Sequence, residues 1–170
     1  MPLPDGLRPL LGTKWLLLAL VRYRAGPLCY DELIVGALAL HGLKPGVWVH
    51  GIWVDSAASL AGGRAIWGLP KELATFRWSG SSVSIEDQDG PLAALDLDRP
   101  ARLLPPLPVA GAGIGRGPHG PLPFPISGWF CAGLGTMHLA HWSPRFGYRL
   151  PERPLACLAA APFRATFHAS

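Results

Sequence analysis

Through the first hundred residues, apolar side chains recur at every second position more often than at every third or fourth, and β-branched and aromatic residues are densest where the runs are shortest. A period of two marks strands with one face buried. It predicts strands at Trp15–Arg24, Cys29–Leu40, Gly46–Val54, Leu73–Trp78, Val83–Glu86 and Leu92–Leu97. Asp87-Gln88-Asp89-Gly90 joins the last two as a tight hairpin, its Asp-Gly pair supplying the positive φ such a turn needs. Ser56 is placed to cap a short helix over Ala57–Ala61, which Gly62-Gly63 is expected to end.

The pattern breaks from Arg99 to Gly128, where eight prolines and six glycines fall within thirty residues. Regular structure is not expected there. The segment reads as a long connection crossing one end of a barrel, or a mobile lid, with a domain boundary as the alternative. Its glycine run is not a dinucleotide-binding fingerprint, because Arg116 stands where the last glycine should be. Strand patterning resumes at Trp129–Leu134, Met137–Trp142 and Leu155–His168. With 170 residues and 49% apolar content the chain can bury one sizeable core, so a single, mainly β domain over 1–170 is expected.

Charge and cysteine content narrow the classes. The formal charge of +4 and the pI near 9.3 come from scattered arginines with no basic run, which sets nucleic acid aside as a partner. Cys29, Cys131 and Cys157 are an odd set without CxxC spacing and read as small buried hydrophobes in a reducing compartment. The apolar run Trp15–Val21 is too short to span a bilayer and lacks a cleavage pattern, so a soluble, cytoplasmic protein with no membrane partner is expected. His138 and His141 lie three apart, a spacing that points to opposite faces of a strand, and no metal is expected.

Lysine is scarce. It stands only at Lys14, Lys44 and Lys71, against twelve arginines. Lys71 follows a Gly/Pro-punctuated turn and opens an apolar-rich segment; an amine kept from water loses part of its preference for the charged form and can attack a carbonyl. The plain alternative is a surface lysine at the start of a strand. Glu32 shares strand parity with Leu28, Tyr30, Ile34, Leu38 and Leu40, so it is either an inward carboxyl placed to move protons or an outward charge. Arg64 offers a planar fork for a substrate carboxylate, or a pin for the loop. Trp48, Trp53, Trp67 and Trp78 read as barrel interior, with one or two walling a pocket.

The block from Gly63-Arg64 through Pro70-Lys71 resembles the Gly-Arg-Glu…Pro-Lys-Lys signature around the Schiff-base lysine of the acetoacetate decarboxylase superfamily, and Lys71 falls on the nucleophile. Leu28-Cys29-Tyr30-Asp31-Glu32 is similar to the family segment that carries an active-site glutamate, and Glu32 falls on it. Leu20-Val21-Arg22-Tyr23-Arg24 looks like the strand preceding that segment, so the likeness covers about residues 15 to 80.

The resemblance implies an antiparallel β-barrel or curved two-layer sheet with one or two short helices. It implies a lyase that forms a Schiff base between Lys71 and a small oxo acid without a cofactor, by decarboxylation or related carbon–carbon lyase or dehydratase chemistry. Lys71 and Glu32 would be catalytic; Arg64, Arg24, Tyr30 and Trp67 would contact the substrate; a homo-oligomer is expected. The family's second lysine, which activates the amine by its charge, is Glu72 here. Its glutamate after the Gly-Arg pair is Ala65, a glutamate ending the earlier strand is Arg24, and the amino-terminal segment that supplies an arginine is expected to be missing. Alternation along a strand puts Lys71 and Glu72 on opposite faces and leaves Arg24 and Arg64 as sources of positive charge. The rival readings are a small-molecule-binding barrel without catalysis and an oligomeric scaffold without a pocket.

Overall fold

The computed structural model describes residues 2–10, 16–98, 104–147 and 149–169. Trp15, the first residue of one predicted strand, and residues 99–103, the start of the Pro/Gly-rich window, lie outside them. The described chain is 64% strand in two sheets with one α-helix, and neither sheet closes into a barrel. No helix among the described residues is long and apolar enough to cross a membrane. The chain divides into two compact units, one of Met1–Leu73, Ala110–Ser127 and Thr166–Ser170, the other of Ala74–Val109 and Gly128–Ala165.

In the first unit, β1 (Leu7–Pro9) and β2 (Leu16–Tyr23) both pair with β3 (Tyr30–His41), which pairs in turn with β4 (Lys44–Val54), all antiparallel. The other edge of β4 takes parallel partners, β5 (Lys71–Leu73) along Ile52–Val54 and β9 (Leu107–Gly117) at Val47 and Trp48. Val35 pairs with Gly51 and Gly36 with Val49, leaving His50 as an extra residue, a β-bulge. The bulge changes which side chains look inward. Trp48 packs with Leu7, Ala39 and Ile114, whereas Val49 shares a second cluster with Ile52, Val54, Leu69 and Phe124. Val49 and Ile52, three apart, would face opposite sides of an unbroken strand.

Helix α1 runs Ala57–Trp67. Ser56 caps it as expected, its side chain accepting from the Ser59 N–H at 3.2 Å, but Gly62-Gly63 does not end it. The stop is Gly68, in the left-handed region at φ 58°, whose N–H donates to the Arg64 carbonyl at 3.2 Å. Gly63 instead has a packing reason to be glycine: a Cβ there would lie 2.5 Å from Cε of Lys71.

In the second unit, β6 (Thr75–Ser79), β7 (Ser82–Asp87), β8 (Gly90–Asp98) and β11 (Thr136–Trp142) form an antiparallel sheet in the order β11-β8-β7-β6. Val83, Ile85, Leu92, Ala93, Leu95 and Leu139 are its buried residues. The turn after Asp87 forms as predicted, with Gly90 at φ 111° and the Asp89 N–H donating to Asp87 Oδ1 at 2.9 Å. The single strand predicted over Leu73–Trp78 is interrupted at Ala74, the first residue of this unit.

The proline- and glycine-rich window corrects the sequence reading: β9 and β10 (Gly120–Leu134) run through most of it. At two of its alternating glycines, neighbours press on the strand. A Cβ on Gly113 would lie 2.1 Å from the Phe124 ring, and one on Gly115 would lie 1.9 Å from the Trp67 carbonyl oxygen. Pro121, Pro123 and Pro125 share one parity, so the N–H groups they lack all belong to one side of the β10 ladder. The last strand, β12, spans Leu158–Phe167.

Candidate active site

Lys71 is placed by backbone contacts before its side chain does anything. Its N–H donates to the Leu69 carbonyl at 2.8 Å, and Ile52 N–H donates to Pro70 at 3.2 Å, which starts β5 alongside β4. Arg64 Nε donates to the Lys71 carbonyl at 2.8 Å, so of its two readings the structure forms the pin. The lysine stem then passes Gly63 and ends out of water, while Glu72 is exposed, as strand alternation requires.

Lys71 Nζ donates to Glu32 Oε1 at 2.7 Å and to Ser59 Oγ at 2.8 Å. The two charged side chains are only 6% and 4% exposed. Glu32 reaches this point because β3 pairs Glu32 with Val54 while β5 pairs Lys71 with Ile52, two residues apart on one face of β4. Its second oxygen accepts from Tyr23 Oη at 3.2 Å. Tyr23 and Tyr30 are register partners with rings stacked at 4.6 Å, and the Tyr30 ring lies 5.4 Å from Nζ. Burial and then the Glu32 carboxylate push both phenols up from their ordinary range, so both keep their protons at neutral pH.

Residues 2–104, more than half of the chain, match the family model for acetoacetate decarboxylase (ADC). The chain belongs to the acetoacetate decarboxylase family. An acetoacetate decarboxylase of Acidiphilium cryptum (strain JF-5) is 55% identical over 31 residues, a segment that spans 18% of this chain and 13% of that relative. The acetoacetate decarboxylase structure from Legionella pneumophila subsp. pneumophila str. Philadelphia 1 superposes with a TM-score of 0.60 at 17% identity, covering 97% of this chain and 74% of that one. A second acetoacetate decarboxylase structure gives 0.59 at 15% identity, over 98% of this chain and 80% of its own. At such identities the likeness is one of fold.

Within this family member, the structure brings Lys71, Glu32 and Tyr30 together and leaves other expected residues outside. Arg24 is largely exposed, with Nη2 4.0 Å from Asp31 Oδ1, and Arg22 Nε lies 3.4 Å from the same oxygen. Asp31 neighbours Glu32 on β3 and so looks to the opposite face, which draws Arg24 away from the amine. Trp67 donates from Nε1 to the His168 carbonyl at 3.0 Å and packs on Phe124 as part of the apolar cluster. Ser59 and Tyr23 are the polar neighbours that sequence reasoning missed. Ser59 sits four residues before Gly63, hence on the same helix face, and that pair of small residues was the available signal. A cleft of about 510 Å³ in the same unit is lined by Trp48, His50, Arg116 and Pro4 among others, and neither Lys71 nor Glu32 lines it.

Proposed function

We propose that this chain is a Schiff-base-forming lyase acting on a small oxo acid, with Lys71 as nucleophile and Glu32 as its proton acceptor. The observation that carries the reading is the Lys71 amine held 2.7 Å from Glu32 in a face sealed from water. Glu32 takes a proton from the ammonium, the freed amine adds to the ketone carbon, and loss of water leaves a protonated imine. That cation draws electron density from the α-carbon as carbon dioxide or a proton departs, and the resulting enamine is protonated and hydrolysed. The scheme needs no cofactor. Decarboxylation is favoured among the related reactions because the curated relative is named acetoacetate decarboxylase.

The test is reductive trapping. The protein is incubated with acetoacetate or pyruvate, reduced with borohydride, and the Lys71 peptide is weighed. A mass increase for the reduced adduct, lost in Lys71→Ala, is the expected result. Thermal stabilisation by these acids with no adduct at any pH would overturn the reading and leave a binding protein.

A further inference from the structure

Ser59 has no part in the scheme above, yet its hydroxyl is the second acceptor of the reacting nitrogen, at 2.8 Å, and is buried with it. It is also firmly held. Its own N–H is tied to Ser56 Oγ at 3.2 Å, and it is the third residue of a capped helix, one turn before Gly63 and on the same face as the gap left there for the lysine stem. That places a buried hydroxyl, fixed by a helix, within hydrogen-bond reach of the reacting amine.

We infer that Ser59 is a catalytic proton relay, carrying one proton from the Lys71 nitrogen to the substrate oxygen during imine formation. The inference rests on the Schiff-base reading. When the neutral amine adds, the C–N bond forms and the carbonyl π pair moves to oxygen, giving a positive nitrogen with two N–H bonds and a negative oxygen. Water cannot leave until nitrogen has lost a proton and oxygen has gained one. At this stage Glu32 holds the proton taken from the ammonium and its other oxygen accepts from Tyr23, which leaves the Ser59 hydroxyl as the neighbour already placed to accept from the nitrogen. Ser59 accepts the N–H proton while its own O–H proton passes to the alkoxide, so the serine is unchanged and a neutral carbinolamine results. Glu32 then protonates that hydroxyl, the C–O bond breaks, and water leaves as the nitrogen lone pair closes the C=N bond. One ammonium and one carboxylate enter; one iminium and one carboxylate remain.

The experiment follows imine formation in a single turnover, by quenching wild-type protein and acetoacetate with borohydride at set times. A relay moves two protons in one step, so the rate measured across mixtures of light and heavy water should bend downward rather than fall linearly. Ser59→Ala should slow trapping about a hundredfold while the final extent of adduct stays the same, and Ser59→Thr should restore most of the rate. A linear dependence in the wild type overturns the relay even where Ser59→Ala does not fold. A folded Ser59→Ala that traps at the wild-type rate overturns it too. Absence of any adduct in the wild type is a different outcome, which removes the Schiff-base reading itself.

Discussion

At the scale of single residues, the site is a buried ion pair, and its energetics follow from what happens when one partner is removed. Taking two charges from water is costly, and their mutual attraction offsets that cost only while both are present. Lys71→Met should therefore lower unfolding stability by about 3–5 kcal/mol, because it strands Glu32 in an apolar face. Adding Glu32→Leu to that variant should return most of the loss, read as the midpoint of urea denaturation; a double variant less stable than Lys71→Met would contradict this account. Parity within a strand was enough to put Glu32 among apolar neighbours, and turn chemistry was enough to single out Lys71. The family likeness put both in one site, but local pattern alone could not show that they meet, because their contact joins residues 39 apart in sequence through pairing registers that no local pattern encodes. Arg24 shows the converse: its charge was plain, but its partner Asp31 lies one residue from Glu32 and on the other face.

At the scale of elements, helix α1 carries two adjacent glycines with opposite consequences. A Cβ on Gly62 meets nothing within 4 Å, whereas one on Gly63 meets the lysine stem at 2.5 Å. Gly62→Ala should raise stability by up to about 1 kcal/mol through helix propensity alone. Gly63→Ala should forfeit that gain and displace the amine, seen as a fall in trapping at Lys71; equal stabilisation by both substitutions would contradict the packing. On β4 the bulged residue His50 has its Nε2 buried without a hydrogen-bond partner. Burial, and after it nearby positive charge including Arg116, pushes its titration from the ordinary 6.5 down to about 4. Between those values the unfolded chain binds more protons than the folded one, so stability should fall as pH drops from 6.5 toward 4. His50→Gln should flatten that part of a stability–pH curve, and an unchanged slope would show that other groups set it.

At the scale of the whole molecule, side-chain period determined most of the strands and the mainly β class, because alternation reports which residues can turn one face away from water, and turn chemistry determined the Asp-Gly hairpin. The Gly-Arg and Pro-Lys block pointed to the family and singled out Lys71, since it sits in one continuous segment. Tertiary structure alone decided the rest. It turned alternating glycines into a strand, because only the facing Phe124 ring and Trp67 carbonyl reveal that a side chain would not fit there. It carried α1 through a glycine pair that read as a stop, because the space Gly63 leaves is filled by Lys71 from another element. It also chose Glu32 and Ser59, among all nearby polar groups, as partners of the amine. Local sequence fixes how a segment can fold, whereas which atoms meet depends on register between segments, and register is settled by burial shared across the sheet.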